Sequence, residues 1–179
     1  MPIVSGGGGG GGLGGVTLSG SAAASKTIVA SGASAAAWQL PPGYEVGYDQ
    51  ITASVNVVST TEATGTTIIA AAAHTFDGAP VICEFFTEAL TVGGLLAEIV
   101  IVSLFESSTQ ITRLAAVDNN SANTLIVPVY ARYRFTPSAA SHTYTVTAHT
   151  TSVTGTPSVG AGSGGTGAPP PCFVRFTKV

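Results

Sequence analysis

Charge is what this chain of 179 residues lacks most: 8% of it is Asp, Glu, Lys or Arg, against about 25% in an ordinary soluble domain. Six basic residues face nine acidic ones, for a net charge of −3. Among the basic residues only Arg132 and Arg134 come close in sequence. Neutralising a phosphate backbone needs a basic face, so nucleic-acid binding is not expected. Disorder is not expected either, because disordered chains are charged and poor in apolar residues, whereas this one is 45% hydrophobic. Long apolar runs are also missing. The most apolar stretch, Leu95 to Phe105, is too short to span a bilayer and carries Glu98. The N-terminus has neither a basic nor an apolar region of the kind that directs secretion. Cysteine is limited to Cys83 and Cys172. In a reducing compartment the expected state is two free, buried thiols.

What is abundant is Gly, Ala, Ser, Thr and the β-branched aliphatics. Residues 1–43 are rich in Gly, Ala and Ser and close on Pro41-Pro42-Gly43, so they read as an anchor and short stalk; residues 44–179 read as a head domain. The head is β throughout. Tyr44–Ser59, Thr66–Phe76, Pro80–Leu90, Leu96–Glu106, Gln110–Val117, Asn123–Phe135 and His142–Val153 are β-branched or aromatic runs. Gly, Asp, Asn or Pro separates them. The Gly/Pro-rich stretch 156–171 reads as a loop, and "CFVRFTKV" as a last strand. About eight strands at this spacing suit an antiparallel β-sandwich of the jelly-roll kind.

Alternation assigns faces. In "HTYTVTAHT", Tyr144, Val146 and Ala148 face one way and Thr143, Thr145, Thr147 and His149 the other. In "VYARYRF", Val129, Ala131, Tyr133 and Phe135 are expected inward, with Tyr130, Arg132 and Arg134 outward. "EIVIVSLF" is apolar on both faces, Ile99, Ile101 and Phe105 opposing Val100, Val102 and Leu104. The second face needs a cover, either a loop or, preferred given the scarcity of charge, a neighbouring subunit.

Three stretches carry a resemblance. "SKTIVASGASAAAW" (Ser25–Trp38) resembles a short unit of bacteriophage tail-fibre and virion surface proteins. "FTPSAASHTYTVTA" (Phe135–Ala148) resembles the penultimate strand of the trimeric jelly-roll heads on phage fibres, similar in shape to the C1q and tumour-necrosis-factor fold. "PPPCFVRFTKV" resembles the terminal strand of such heads. The resemblance implies a non-enzymatic virion protein, a trimeric spike with an extended Gly-rich N-terminal arm. It would be displayed on the virion surface after assembly in the host cytoplasm. Its implied partners are itself, tail or capsid proteins, and a host surface glycan or protein. A minor tail or fibre protein for host adsorption is the leading expectation. Capsid decoration, as a head fibre or cement protein, and a glycan-degrading tail spike are the alternatives. The stalk is short for a receptor fibre, which favours a stubby spike.

The resemblance also gives a role to the run Gly6, Gly7, Gly8, Gly9, Gly10, Gly11 and Gly12, followed by Leu13. Lacking Cβ atoms, these residues allow backbones to converge on a three-fold axis or in a groove of a partner. A flexible linker is the plainer alternative.

Other chemical motifs are thin. "GSGGTG" (Gly162–Gly167) matches a dinucleotide-binding pattern by letter, but prolines follow where a helix should start. No cofactor is expected. His142 and His149 lie on opposite faces of one strand and cannot share a metal. His74 and Asp77 flank a turn, where a turn histidine is the plainer reading than a metal ligand. Glu84 and Glu88 share a face but lie roughly 13 Å apart, too far for paired glycosidic catalysis. Tyr130, Arg132 and Arg134 form the candidate surface contact, for an acidic glycan or acidic capsid patch. The plainer alternative is a solvated face, or a ladder paired to Glu84 or Glu106 of a neighbouring strand.

Overall fold

A computed structural model describes residues 12–13, 16–19, 27–32, 35–94 and 97–179. By internal contacts the chain divides into Met1–Tyr44 with Lys178, and Glu45–Thr177 with Val179. In the first unit, β1 (Gly12–Leu13), β2 (Val16–Ser19), β3 (Thr27–Gly32) and β4 (Ala35–Gln39) form a sheet in the order β1-β2-β4-β3. The β2–β4 pair is parallel and the others antiparallel. Of the expected anchoring arm, Gly12 and Leu13 pair with Thr17 and Val16. Gly6, Gly7, Gly8, Gly9, Gly10 and Gly11 lie outside the described residues.

The second unit is all-β, with no α-helix among its described residues. Its strands are β5 (Glu45–Ile51), β6 (Val55–Asn56), β7 (Thr66–Thr75), β8 (Val81–Val92), β9 (Glu98–Glu106), β10 (Thr109–Asn119), β11 (Leu125–Phe135), β12 (Ser141–Thr150), β13 (Ser158–Val159) and β14 (Cys172–Lys178). They make two antiparallel sheets. One runs β10-β9-β12-β7; the other runs β5-β14-β8-β13-β6, with β11 on β8. The inward side chains merge into one core. Phe85, Leu90 and Val92 of β8 meet Val100, Val102 and Leu104 of β9, Tyr144 and Val146 of β12, and Val174 and Phe176 of β14. At one end Phe176 packs on Tyr144, Phe76 and Phe135, with ring centroids 5.1, 5.8 and 6.4 Å away.

Local chemistry explains the turns. Between β7 and β8 the Asp77 carboxylate accepts the Ala79 N–H at 3.1 Å, and Gly78 takes a φ of +82°. That is the left-handed region, where a side chain would be strained. Asp49 of β5 stitches the two sheets together. It accepts the Ala72 N–H at 3.1 Å and bonds the His74 ring at 2.6 Å.

Four expectations change. The second unit has ten strands rather than about eight, two of them only two residues long. Tyr44–Ser59 breaks because the Ser54 hydroxyl accepts the Ala161 N–H at 3.1 Å, an interaction of side chain and backbone where a ladder would continue. The stretch 156–171, expected as loop only, contains β13, whose Ser158 and Val159 pair with both β8 and β6. Tyr133, expected inward, is 38% exposed and stacks on Phe135. It sits on β11, which among the described residues pairs with β8 alone and is an edge strand.

The second apolar face of β9 is covered, at Ser103, by the chain's own loop. The 3₁₀ turn Glu62–Thr64 lies there. Its Glu62 carboxylate accepts from Ser103 at 3.0 Å, Gln110 at 2.6 Å and Arg113 at 2.7 and 2.5 Å.

Candidate functional site

The outward face of the sheet formed by β5, β14, β8 and β11 gathers most of the recognition chemistry. Register sets it. Arg132 stands opposite Glu84, Tyr130 opposite Phe86 and Arg134 opposite Ile82 across the β11–β8 pair. Across β14–β5, Arg175 stands opposite Tyr48 and Phe173 opposite Gln50. Same-face neighbours on adjacent strands touch, so residues far apart in sequence become one surface.

Its centre is a carboxylate. The Glu84 side chain is 7% exposed, while those of Arg132 and Arg175 are 56% and 40% exposed. Glu84 Oε2 accepts from Arg175 Nε at 2.8 Å and Nη2 at 2.5 Å. Its Oε1 accepts the Tyr130 hydroxyl and lies 3.3 Å from Arg132 Nε. Burial alone would raise the Glu84 pKa. The Tyr130 and Arg175 hydrogen bonds and the charges of Arg175 and Arg132 outweigh it, so the net shift is downward. The Tyr130 phenol is pushed up, first by its hydrogen bond to Glu84. A carboxylate so held is a fixed anion rather than a proton donor.

Beside this cluster runs an aromatic ladder across three strands. Tyr48 stacks on Phe173 at 5.4 Å and Phe173 on Phe86 at 5.6 Å, with planes 27° and 28° apart. Arg134 is exposed and makes no ion pair among the described residues. Three of the chain's six basic residues therefore share one face. An apolar groove of about 310 Å³ is lined by Ala89, Ile126, Ala161 and Pro169, with Glu88.

Of the sequence candidates, Tyr130 and Arg132 meet on Glu84, the ladder partner considered for them; Arg134 projects alone. Phe86, Phe173, Arg175 and Tyr48 were missed. Alternation in "CFVRFTKV" could have placed Phe173 and Arg175 on one face, but nothing in the sequence pairs Arg175 with Glu84. His74 and Asp77 do not combine, since His74 bonds Asp49 and Asp77 the turn. His142 bonds Glu106 and, at 3.1 Å, the Ser138 carbonyl oxygen. The loop at Gly162–Gly167 is a turn, with Gly164, Gly165 and Gly167 all at positive φ. Cys83 and Cys172 are free and buried, each thiol pushed up to about 12 by burial. The chain matches no family model and no curated protein.

Proposed function

We propose that this chain is a non-enzymatic virion structural protein: a short trimeric surface spike whose jelly-roll head faces out and whose Gly-rich arm, Gly6 to Leu13, docks it on the particle. Its role in this reading is host adsorption, as a minor tail or fibre protein. The single observation that carries it is the outward face described above, where half-buried aromatic rings lie beside exposed guanidiniums on a β-sandwich. Such a surface suits recognition. The scarcity of charge, with Ile126 and Tyr130 61% and 58% exposed, favours assembly into a trimer.

Hydrolysis is the weaker reading because four of the carboxylates are tied up in pairs. Glu84, Glu62, Glu106 and Asp49 each hold a cationic or imidazole partner. A general acid needs the opposite, a carboxyl pushed up towards neutrality. Capsid decoration remains the second reading, because the same basic face would fit an acidic capsid patch. Locating the chain in a map of the intact particle tests both. Tail density supports adsorption, shell density supports decoration, and absence from the particle overturns the virion reading. Light scattering that finds a stable monomer at micromolar concentration would refute the trimer.

A further inference from the structure

We infer that the outward face of the β5–β14–β8–β11 sheet binds a carboxylated polysaccharide, with Arg132 and Arg134 as the anion contacts and the Tyr48–Phe173–Phe86 ladder as the apolar floor. The inference rests on the reading of the chain as a surface recognition protein and names the ligand class of that face.

The charge arrangement comes first. One buried carboxylate, Glu84, serves two guanidiniums and a phenol. An ionised carboxyl accepts at about four lone-pair sites and an arginine offers five N–H groups. Glu84 therefore cannot absorb the donors around it. Arg132 keeps more than half of its side chain exposed, and Arg134 lies exposed two residues further along the same face. Same-face residues on a strand recur at roughly 7 Å. Two guanidiniums thus point outward in a row, on a chain whose net charge is −3. Besides Glu84, Glu45 at the start of β5 lies within electrostatic reach of Arg175 and Tyr48, and Glu88 lines the groove.

The cluster shows one anion that this face can hold. On this face Arg175 already holds a carboxylate through Nε and Nη2, at 2.8 and 2.5 Å. Planar guanidiniums match planar carboxylates. The ladder supplies the second half of the fit. The stacked rings give sugar rings an apolar surface beside the guanidiniums. Rings and guanidiniums together favour an anionic chain of sugars over a cation or a purely apolar partner. A polymer uses both guanidiniums at once, which multiplies two weak surface contacts.

The test is titration of the full chain with polysialic acid, with neutral dextran and dextran sulfate as comparisons, at low and high salt. Polysialic acid is expected to bind, more weakly as salt rises, with dextran inert and dextran sulfate weaker. Arg132→Gln with Arg134→Gln should weaken binding about tenfold while the melting curve stays in place. If the double variant melts early, Arg134→Gln alone, at a site without an ion pair, should still weaken binding several-fold. Several results would overturn the proposal: no binding of polysialic acid, equal binding by the variants, or dextran sulfate bound as tightly. So would a change of oligomeric state in the arginine variants, which would make the face a contact between copies. The two readings fail separately. A purified chain that blocks particle adsorption yet ignores polysialic acid loses the ligand class only. A chain that binds the polysaccharide but is missing from particles loses the virion role only.

Discussion

Replacing Gly47 with alanine should destabilise the head through one identifiable collision. Gly47 is buried on β5, and a methyl built there would lie 2.5 Å from His74 Cδ2 and Cγ and 2.7 Å from Nδ1. Real contacts of this kind are never so short, so the ring must move. Moving it breaks the 2.6 Å bond between His74 and Asp49, two side chains each only 14% exposed. Overpacking of this sort costs about 1–3 kcal/mol, and a lost hydrogen bond to a charged group about 1.5–3 kcal/mol. Against these, alanine reduces unfolded-chain entropy by about 0.4–1 kcal/mol. The net expectation is a loss of about 2–4 kcal/mol, or a drop in Tm of about 10 °C. The assay is a double-mutant cycle on thermal melts of Gly47→Ala, His74→Ala and the two combined. With the ring gone the methyl has room, so the double variant should be about as stable as His74→Ala alone. If Gly47→Ala melts like the parent, or if the two losses simply add, the reasoning is wrong.

Four further outcomes follow from the same structure. Phe176→Ala, at the fully buried centre of the aromatic cluster, should cost about 3–5 kcal/mol in denaturant titration; a loss under 1 kcal/mol would mean that the cluster is not a packing centre. Glu62 is held down to about 2, first by its hydrogen bond from Arg113. A depressed folded pKa stabilises at higher pH, so its contribution should be complete above 4.5, fade between 4.5 and about 2, and shrink in Arg113→Ala, where the Ser103 and Gln110 hydrogen bonds remain. His142 is shifted the other way, raised above 6.5 chiefly by its hydrogen bond to Glu106. Its contribution should be full below 6.5 and fade as pH rises through the higher folded value, a slope that His142→Gln should remove. Cys83 and Cys172, buried and pushed up to about 12, should resist an aromatic disulfide reagent at neutral pH in the native protein and react at once on unfolding; fast native labelling of either would contradict the packing.

The alternation that puts Tyr144, Val146 and Ala148 inside is legible because the period-two pattern of a strand is local. All three are at most 1% exposed. The same reading overreached at Tyr133, because alternation gives a side chain's direction and not how far the facing sheet extends. It also ran Tyr44–Ser59 into one strand, since the Ser54–Ala161 interaction that ends pairing there spans more than a hundred positions. The site was legible by half. Tyr130, Arg132 and Arg134 show in one short run, but their context comes from β8 and β14.

By itself, the sequence determined what depends on neighbours a few residues apart: β character, most turn positions and most strand faces. It also determined that any basic surface here must be small, because six cations are all there are. Only the tertiary structure decided which strands lie side by side. That choice brings Arg175 to Glu84 across 91 positions and lines up Tyr48, Phe173 and Phe86. It also lays the Glu62 loop, rather than bare solvent, over Ser103. The physical reason is that strand pairing is set by the backbone hydrogen bonds and shared core of whole sheets. Those bonds are the same for every residue type but proline, so the sequence carries little local mark of which partner a strand will take.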